Sequence, residues 1–269
     1  MKRLMVTVAL ALIALPAFAA IEYEFVQKNT SDDSVKPVID LTARAIIDGT
    51  RSRVDFVSGN AYPPGTYVVS PDGTRLLFVD PGNQWYTEFN AAHTATALGA
   101  AGIRIDNFKS EVKKLDDRQN VAGIDADHYR LTMSYDISVT LRNLPLKQHV
   151  QTEIDSYVTS RFATATDTFS RGVRTGNAMI DQLIDAETSK VPGFALRQTV
   201  TTRTKTENAP RKSELKVPAQ RTMVREMWVT KVREVAPDAK LFIVPASYRR
   251  ADQPEQKAAS QLTFDSNGN

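Results

Sequence analysis

The chain of 269 residues contains no cysteine. Disulfides, thiolate metal sites and lipid attachment through a cysteine at a processing junction are all excluded on that ground. Histidine is scarce: His93, His128 and His149 are scattered along the chain, and none sits in an H-x-x-x-H or H-E-x-x-H spacing. A zinc or Ser-His site would need them to converge from distant segments. No glycine-rich phosphate loop is present. Asp116-Asp117 reads as a turn, and turn-favouring aspartates also explain the cluster of Asp125 and Asp127 beside His128. No catalytic residue, metal ligand or cofactor is assigned, although scattered carboxylates leave a hydrolase as a distant third reading. An excess of one charge is lacking too. The net charge is +3, and it falls to about +1 if Lys2 and Arg3 are removed, so the balance gives no reason to expect a nucleic-acid partner.

What is present begins with a segment that does not belong to the fold. Lys2 and Arg3 precede an apolar run from Leu4 to Leu15, and Pro16 leads into the small-x-small triplet Ala17-Phe18-Ala19. This is the pattern of a cleaved secretory signal, and the run is too short to span a bilayer comfortably. The expected organisation is a signal peptide over 1–19, one β domain over 20–248 and a polar, disordered tail over 249–269. Without a cysteine for lipidation, a periplasmic location follows as the expectation.

The domain is organised around Tyr129 to Leu141. Tyr129, Leu131, Met133, Tyr135, Ile137, Val139 and Leu141 alternate with Arg130, Thr132, Ser134, Asp136, Ser138 and Thr140. Side chains on a strand point alternately to opposite faces, so the spacing predicts one long strand, apolar on one side and wet on the other. Its length of roughly 40 Å suits the bent wall of an open barrel better than a rib of a flat sheet. Burying the apolar side is worth on the order of 10–20 kcal/mol gross, so other side chains, a helix or a greasy ligand must cover it.

Other segments read as strands separated by turns. Ile21 to Phe25 is the first, followed by a polar loop over Asn29 to Ser34. Leu41–Ile47 and Ser52–Val57 are joined through Asp48-Gly49, a strong hairpin signal. Thr66–Val69 and Arg75–Val79 flank Pro71-Asp72-Gly73-Thr74, and Trp85–Phe89 follows Asp80-Pro81-Gly82-Asn83. Further strands are expected over Ile103–Leu115, Val150–Val158, Gln198–Thr206, Thr222–Val235 and Leu241–Val244. Ala91 to Gly102 reads equally well as a short helix or a loop. Regular turn chemistry without helical crossovers predicts an antiparallel meander. One amphipathic helix interrupts it over Val173 to Glu187, where Met179, Ile180, Leu183 and Ile184 recur at helical spacing.

Three stretches resemble a known family. Val68-Val69-Ser70-Pro71-Asp72-Gly73-Thr74-Arg75-Leu76-Leu77-Phe78-Val79-Asp80-Pro81 is similar to the central hairpin of the periplasmic lipoprotein carriers of the LolA and LolB type. Gly123-Ile124 before His128-Tyr129-Arg130-Leu131, and the closing Ala239 to Tyr248, resemble uncharacterised envelope relatives of those carriers. The resemblance implies a mainly β fold: a strongly curved, antiparallel half-open barrel with one or two helices across its concave side. It also implies a cavity for acyl chains and a role in outer-membrane biogenesis. The carriers have an arginine that latches the helical lid, and both Arg51 and Arg53 lie near the matching position.

Two readings of the apolar side stay open. Tyr129, Leu131, Met133, Tyr135 and Ile137 form either plain core or the wall of a cavity, and methionine and tyrosine suit an adaptable wall. In the second case Met179, Ile180, Leu183 and Ile184 form the inner face of a lid, and the ligand is a lipid or an acylated protein. The alternative function is a non-catalytic interaction or sensor module with a filled core. Finally, residues 197–233 carry ten Lys/Arg against three Asp/Glu. That run is either a solvated surface or a contact for anionic membrane headgroups; lacking interleaved aromatics, it makes a poor nucleic-acid site.

Overall fold

The structure, a computed structural model, describes residues 20–32, 38–89, 103–141, 144–162, 178–189, 191–207, 218–236 and 238–251. The expected signal segment, the helix or loop at Ala91 to Gly102, and the tail from 252 onward lie outside the described residues. The strands are β1 (Ala20–Ser31), β2 (Ile39–Asp48), β3 (Arg51–Gly59), β4 (Tyr67–Ser70), β5 (Leu76–Asp80) and β6 (Trp85–Phe89). They continue as β7 (Arg104–Val121), β8 (Ile124–Leu141), β9 (Leu144–Thr159), β10 (Phe194–Glu207), β11 (Gln220–Val235) and β12 (Arg249–Arg250), with one helix, α1 (Ala178–Ser189), between β9 and β10.

All twelve strands belong to one open, curved sheet in the order β12-β6-β5-β4-β3-β2-β1-β11-β10-β9-β8-β7. The chain meanders outward from β1 to β6, resumes at the far edge with β7, and meanders back until β11 pairs with β1. Pairing is antiparallel throughout except for β12, which lies parallel to β6. Curvature has visible causes. Register shifts interrupt the ladders at Glu24/Phe25, Thr42/Ala43, Asp106/Lys109, Lys114/Arg118 and Ala195/Arg197, and each such irregularity bends and twists its strand. Tyr23 on β1 and Phe194 on β10, two strands away, meet edge to face with ring centroids 5.0 Å apart.

The long strand is β8, 18 residues rather than the expected thirteen, and it is flanked by β7 and β9 of similar length. Its polar side is not uniformly wet, because His128 and Asp136 are buried there among hydrogen-bond partners on β7 and β9. Three further expectations are corrected. Asn29 to Ser31 continue β1 instead of forming a loop, since β11 pairs with all three. Asp116-Asp117 are not a turn; they sit in β7 at a bulge, where Asp117 accepts from His128. Leu241 to Val244 do not form a strand. Ala239–Phe242 is a 3-10 turn in which Asp238 accepts from the Lys240 backbone, burying Phe242 against Tyr67, Val69, Leu77 and Val79. The edge position falls to Arg249–Arg250, at the start of the expected tail.

The β7–β8 turn is Ala122-Gly123, with φ of 51° and 80°. Two central residues at positive φ make the hairpin turn whose twist matches the strands, and asparagine and glycine fit it best. Alanine at positive φ costs about 1 kcal/mol. Ala122→Asn should therefore raise the unfolding free energy by about 0.5–1 kcal/mol, read as a higher urea midpoint at unchanged slope; an unaltered midpoint would contradict this account of the turn.

Candidate functional site

Cross-strand partners share a face of a sheet, so register alone builds the floor beneath α1. One row runs Leu131, Ile154, Val200, Arg225, Asn29 across β8, β9, β10, β11 and β1. The next runs Met133, Thr152, Thr202, Met223, Ser31. Both rows begin apolar and end polar. At the apolar end Leu131, Met133, Ile154 and Val200 form a core cluster with Ala186 of α1, joined by Phe108 and Val191. Among the α1 side chains that are described, Ala186 is the buried one, at 3% exposure. Its small side chain brings the helix close to the floor there. Leu183 and Ile184, three and two residues earlier, line a gap instead.

That gap is a cavity of about 380 Å³, lined by Met133, Tyr135, Ile154, Leu183, Ile184 and Val200 on its apolar sides, with Thr152, Thr202, Met223, Arg225 and Asn29 towards β11 and β1. Hydrogen bonds fix the polar part. The Arg225 guanidinium donates to Gln198 at 3.4 Å, and the Gln198 amide donates to the Ser156 hydroxyl at 3.3 Å. Thr152 and Thr202 hold their hydroxyls 3.4 Å apart. The arrangement offers apolar surface on two sides and a cation at one end. Apolar surface of that kind is suited to binding.

Of the residues expected to line a cavity, the structure brings Met133, Tyr135, Leu183 and Ile184 to this space. Leu131 lies fully buried in the cluster under Ala186. Tyr129 and Ile137 are half-buried on the same strand, away from the lining, and Met179 is half-buried on α1. The side chain of Ile180 is outside the described residues. Thr152, Ile154, Val200, Thr202, Met223, Arg225 and Asn29 were missed by sequence reasoning. Their strands were legible, and the alternation Arg221, Met223, Arg225, Met227 was a usable signal, but strand register is not written in any one segment.

Arg51 and Arg53 hold a different part of the chain from the one the latch expectation assigned. Arg51 pairs with Asp48 and lies over the Phe242 ring at 5.1 Å. Arg53 donates to Asp55 at 2.9 and 2.6 Å and to the Leu241 carbonyl at 3.2 Å, with its guanidinium 3.7 Å above the Tyr67 ring. They fasten the C-terminal 3-10 turn.

The opposite side of β7–β9 carries a polar network. His128, stacked on Tyr157 with centroids 4.3 Å apart, has Nδ1 2.8 Å from Asp117 and Nε2 3.0 Å from Asp155. Both carboxylates accept only when each ring nitrogen carries its hydrogen. Arg130 also donates to Asp155 at 2.8 Å, and the Tyr157 hydroxyl donates to Asp117 at 3.1 Å. Asp125 and Asp127, near His128 in sequence, turn to other partners: Asn120 for the first, Lys114 and Arg118 for the second. No three His, Asp or Glu among the described residues form a group that could hold a metal ion.

Three carboxylates of β7 and β8, Asp117, Asp127 and Asp136, titrate low. A hydrogen bond from His128, then one from Tyr157, holds Asp117 below the ordinary carboxylate range. Lys114 does the same for Asp127, and His149 followed by Asn107 for Asp136. A carboxylate whose pKa is lower folded than unfolded stabilises the fold above its unfolded value near ~4, and that contribution is lost as pH falls through the depressed value. Thermal midpoints should therefore stay level from about pH 7 to pH 5 and drop below about pH 4, with a shallower acid slope in Asp117→Asn. An identical slope in the variant would show that the network does not couple protons to folding.

No family model matches the chain, and no curated protein sequence matches it. Among solved structures it is similar to an uncharacterised conserved protein from Thermus thermophilus, at 8% identity and a TM-score of 0.39, over 87% of this chain and 90% of that one. It is also similar to a LolA superfamily protein from Nitrosomonas europaea, at 9% identity and a TM-score of 0.33, over 84% of this chain and 90% of that one. Likenesses at these scores assign no function, and the cavity's own residues must supply it.

Proposed function

We propose that the protein is a non-catalytic, periplasmic binding or carrier-type protein that holds the apolar chain of a lipid or acylated ligand between α1 and the sheet. One observation carries the reading: a cavity of about 380 Å³ remains between Leu183 and Ile184 above and Met133, Ile154 and Val200 below. Ligand pockets span roughly 300–1,000 Å³ and are mostly apolar with a few polar groups. The volume lies near the lower bound, which favours one chain over several. Action is physical rather than chemical. Apolar area leaves water when the chain enters, at about 25 cal/mol per Å². Because α1 reaches the core cluster through Ala186, whereas Leu183 and Ile184 face the cavity, the helix is suited to act as the lid through which the chain enters and leaves.

The test is chain binding by the purified, delipidated protein. A fluorescent long-chain probe should bind in a saturable way, and native mass spectrometry of protein taken directly from cells should show bound lipid. Leu183→Asp, which sets a charge against the chain, should weaken binding by at least about tenfold, or ~1.4 kcal/mol. Thr202→Trp, which fills the space from below, should do the same without touching the helix. Protein that binds no probe and carries no lipid would remove the reading.

A further inference from the structure

We propose that a second binding site lies on the side of the sheet opposite α1. It takes the phosphate of a small hydroxylated compound, a polyol or sugar phosphate either free or forming the head of an anionic lipid. The inference does not use the chain-binding reading. Thr132 and Ser134 alternate with Leu131 and Met133 along β8, so they point away from the apolar cavity. There they border a polar cleft of about 330 Å³. Register places its residues in two neighbouring rows. One runs Lys109, Ser134, Gln151, Arg203 across β7, β8, β9 and β10. The other runs Glu111, Thr132, Glu153 across β7, β8 and β9.

The charges of the cleft do not balance. Its carboxylates already have cationic neighbours outside it: Glu111 is 3.2 Å from Lys113, and Glu153 is 3.9 Å from Arg130. Its cations, Lys109 and Arg203, have no carboxylate partner among the described residues. What the lining lacks is therefore an anion. The two cations stand at opposite ends of their row, roughly 14 Å apart at the backbone across three strand spacings. Both side chains border the same space, so an anion in it is approached from two sides. The Arg203 guanidinium offers parallel donors that match a phosphate, and the Lys109 ammonium adds a point charge. Between them the Ser134 hydroxyl and the Gln151 amide supply neutral donors. The second row sits two residues further along each strand, about 6.6 Å away. Glu111 and Glu153 accept hydrogen bonds and repel a second phosphate, so they suit the hydroxyls of the same ligand.

The experiment is calorimetry of the purified protein with glycerol 3-phosphate, glucose 6-phosphate, inorganic phosphate and glucose. Sedimentation with phosphatidylglycerol vesicles accompanies it, with phosphatidylcholine vesicles as the zwitterionic control. The two organic phosphates should bind at least about tenfold more tightly than glucose or inorganic phosphate, and added salt should weaken them. Neither has an acyl chain, so Leu183→Asp should leave their binding unchanged, which separates this site from the cavity under α1. Lys109→Gln and Arg203→Gln should each lower the affinity at least about fivefold. Lys231→Gln, whose ammonium pairs with Glu24 elsewhere on the sheet, should not change it. All three positions are exposed, and a cooperative thermal transition would show that each variant is folded. Capture by phosphatidylglycerol vesicles that is lost in Arg203→Gln would identify the lipid head as the source. Binding of the soluble phosphates without such capture would identify a free compound, and either result supports the proposal. Affinity for inorganic phosphate or glucose equal to that for the organic phosphates would overturn it, as would binding that survives both substitutions. Failure of the soluble phosphates and the phosphatidylglycerol vesicles alike would overturn it too, and would leave the chain-binding reading standing.

Discussion

A sheet with strands of up to 18 residues cannot lie flat, because each strand carries a right-handed twist that its neighbours must follow. That twist, increased at the bulges of β11, β3, β7 and β10, is the constraint behind the rest of the molecule. It curls the twelve strands without closing them. A curled, open sheet has a face that side chains from its own strands only partly fill. Among the described residues, α1 covers that face along β8–β10 and reaches the buried cluster through Ala186, and the space left over is the cavity.

The same register that builds the space sets its chemistry. Arg225 is brought into line with Val200, Ile154 and Leu131 because β11 returns from the far edge to pair with β1. Apolar and cationic ends of one cavity are thus a result of strand order. The opposite side of the same strands is tied by Asp117, His128, Asp155 and Arg130, so β7, β8 and β9 are held together without using the face that carries the cavity. Similarly, Arg51 and Arg53 secure the C-terminal turn against β3 and β4.

Much of the fold was legible in the sequence. The alternation from Tyr129 to Leu141 marked the long strand β8, and Asp48-Gly49 and Pro71-Asp72-Gly73-Thr74 marked turns. Asp72 fills that last role by accepting from the backbones of Thr74 and Arg75. The misreadings share one cause: local chemistry lost to a distant partner. Asp117 looks like a turn residue until His128 is placed beside it. Leu241 and Phe242 look like strand until Phe242 finds its pocket on β4 and β5. Met133, Tyr135, Leu183 and Ile184 could be proposed for the cavity from periodicity alone. Arg225 could not, since nothing in β11 says which residues of β10 and β1 will face it.

The central claim is that the space between α1 and the sheet belongs to a ligand's chain. The most direct measurement is a crystal structure of the protein grown with a bromine-labelled fatty acid, read from the anomalous signal of the bromine. The account predicts bromine between Leu183 and the Ile154–Val200 pair. Well-ordered protein side chains packed through that space, and bromine absent from it at saturating ligand, would contradict the account.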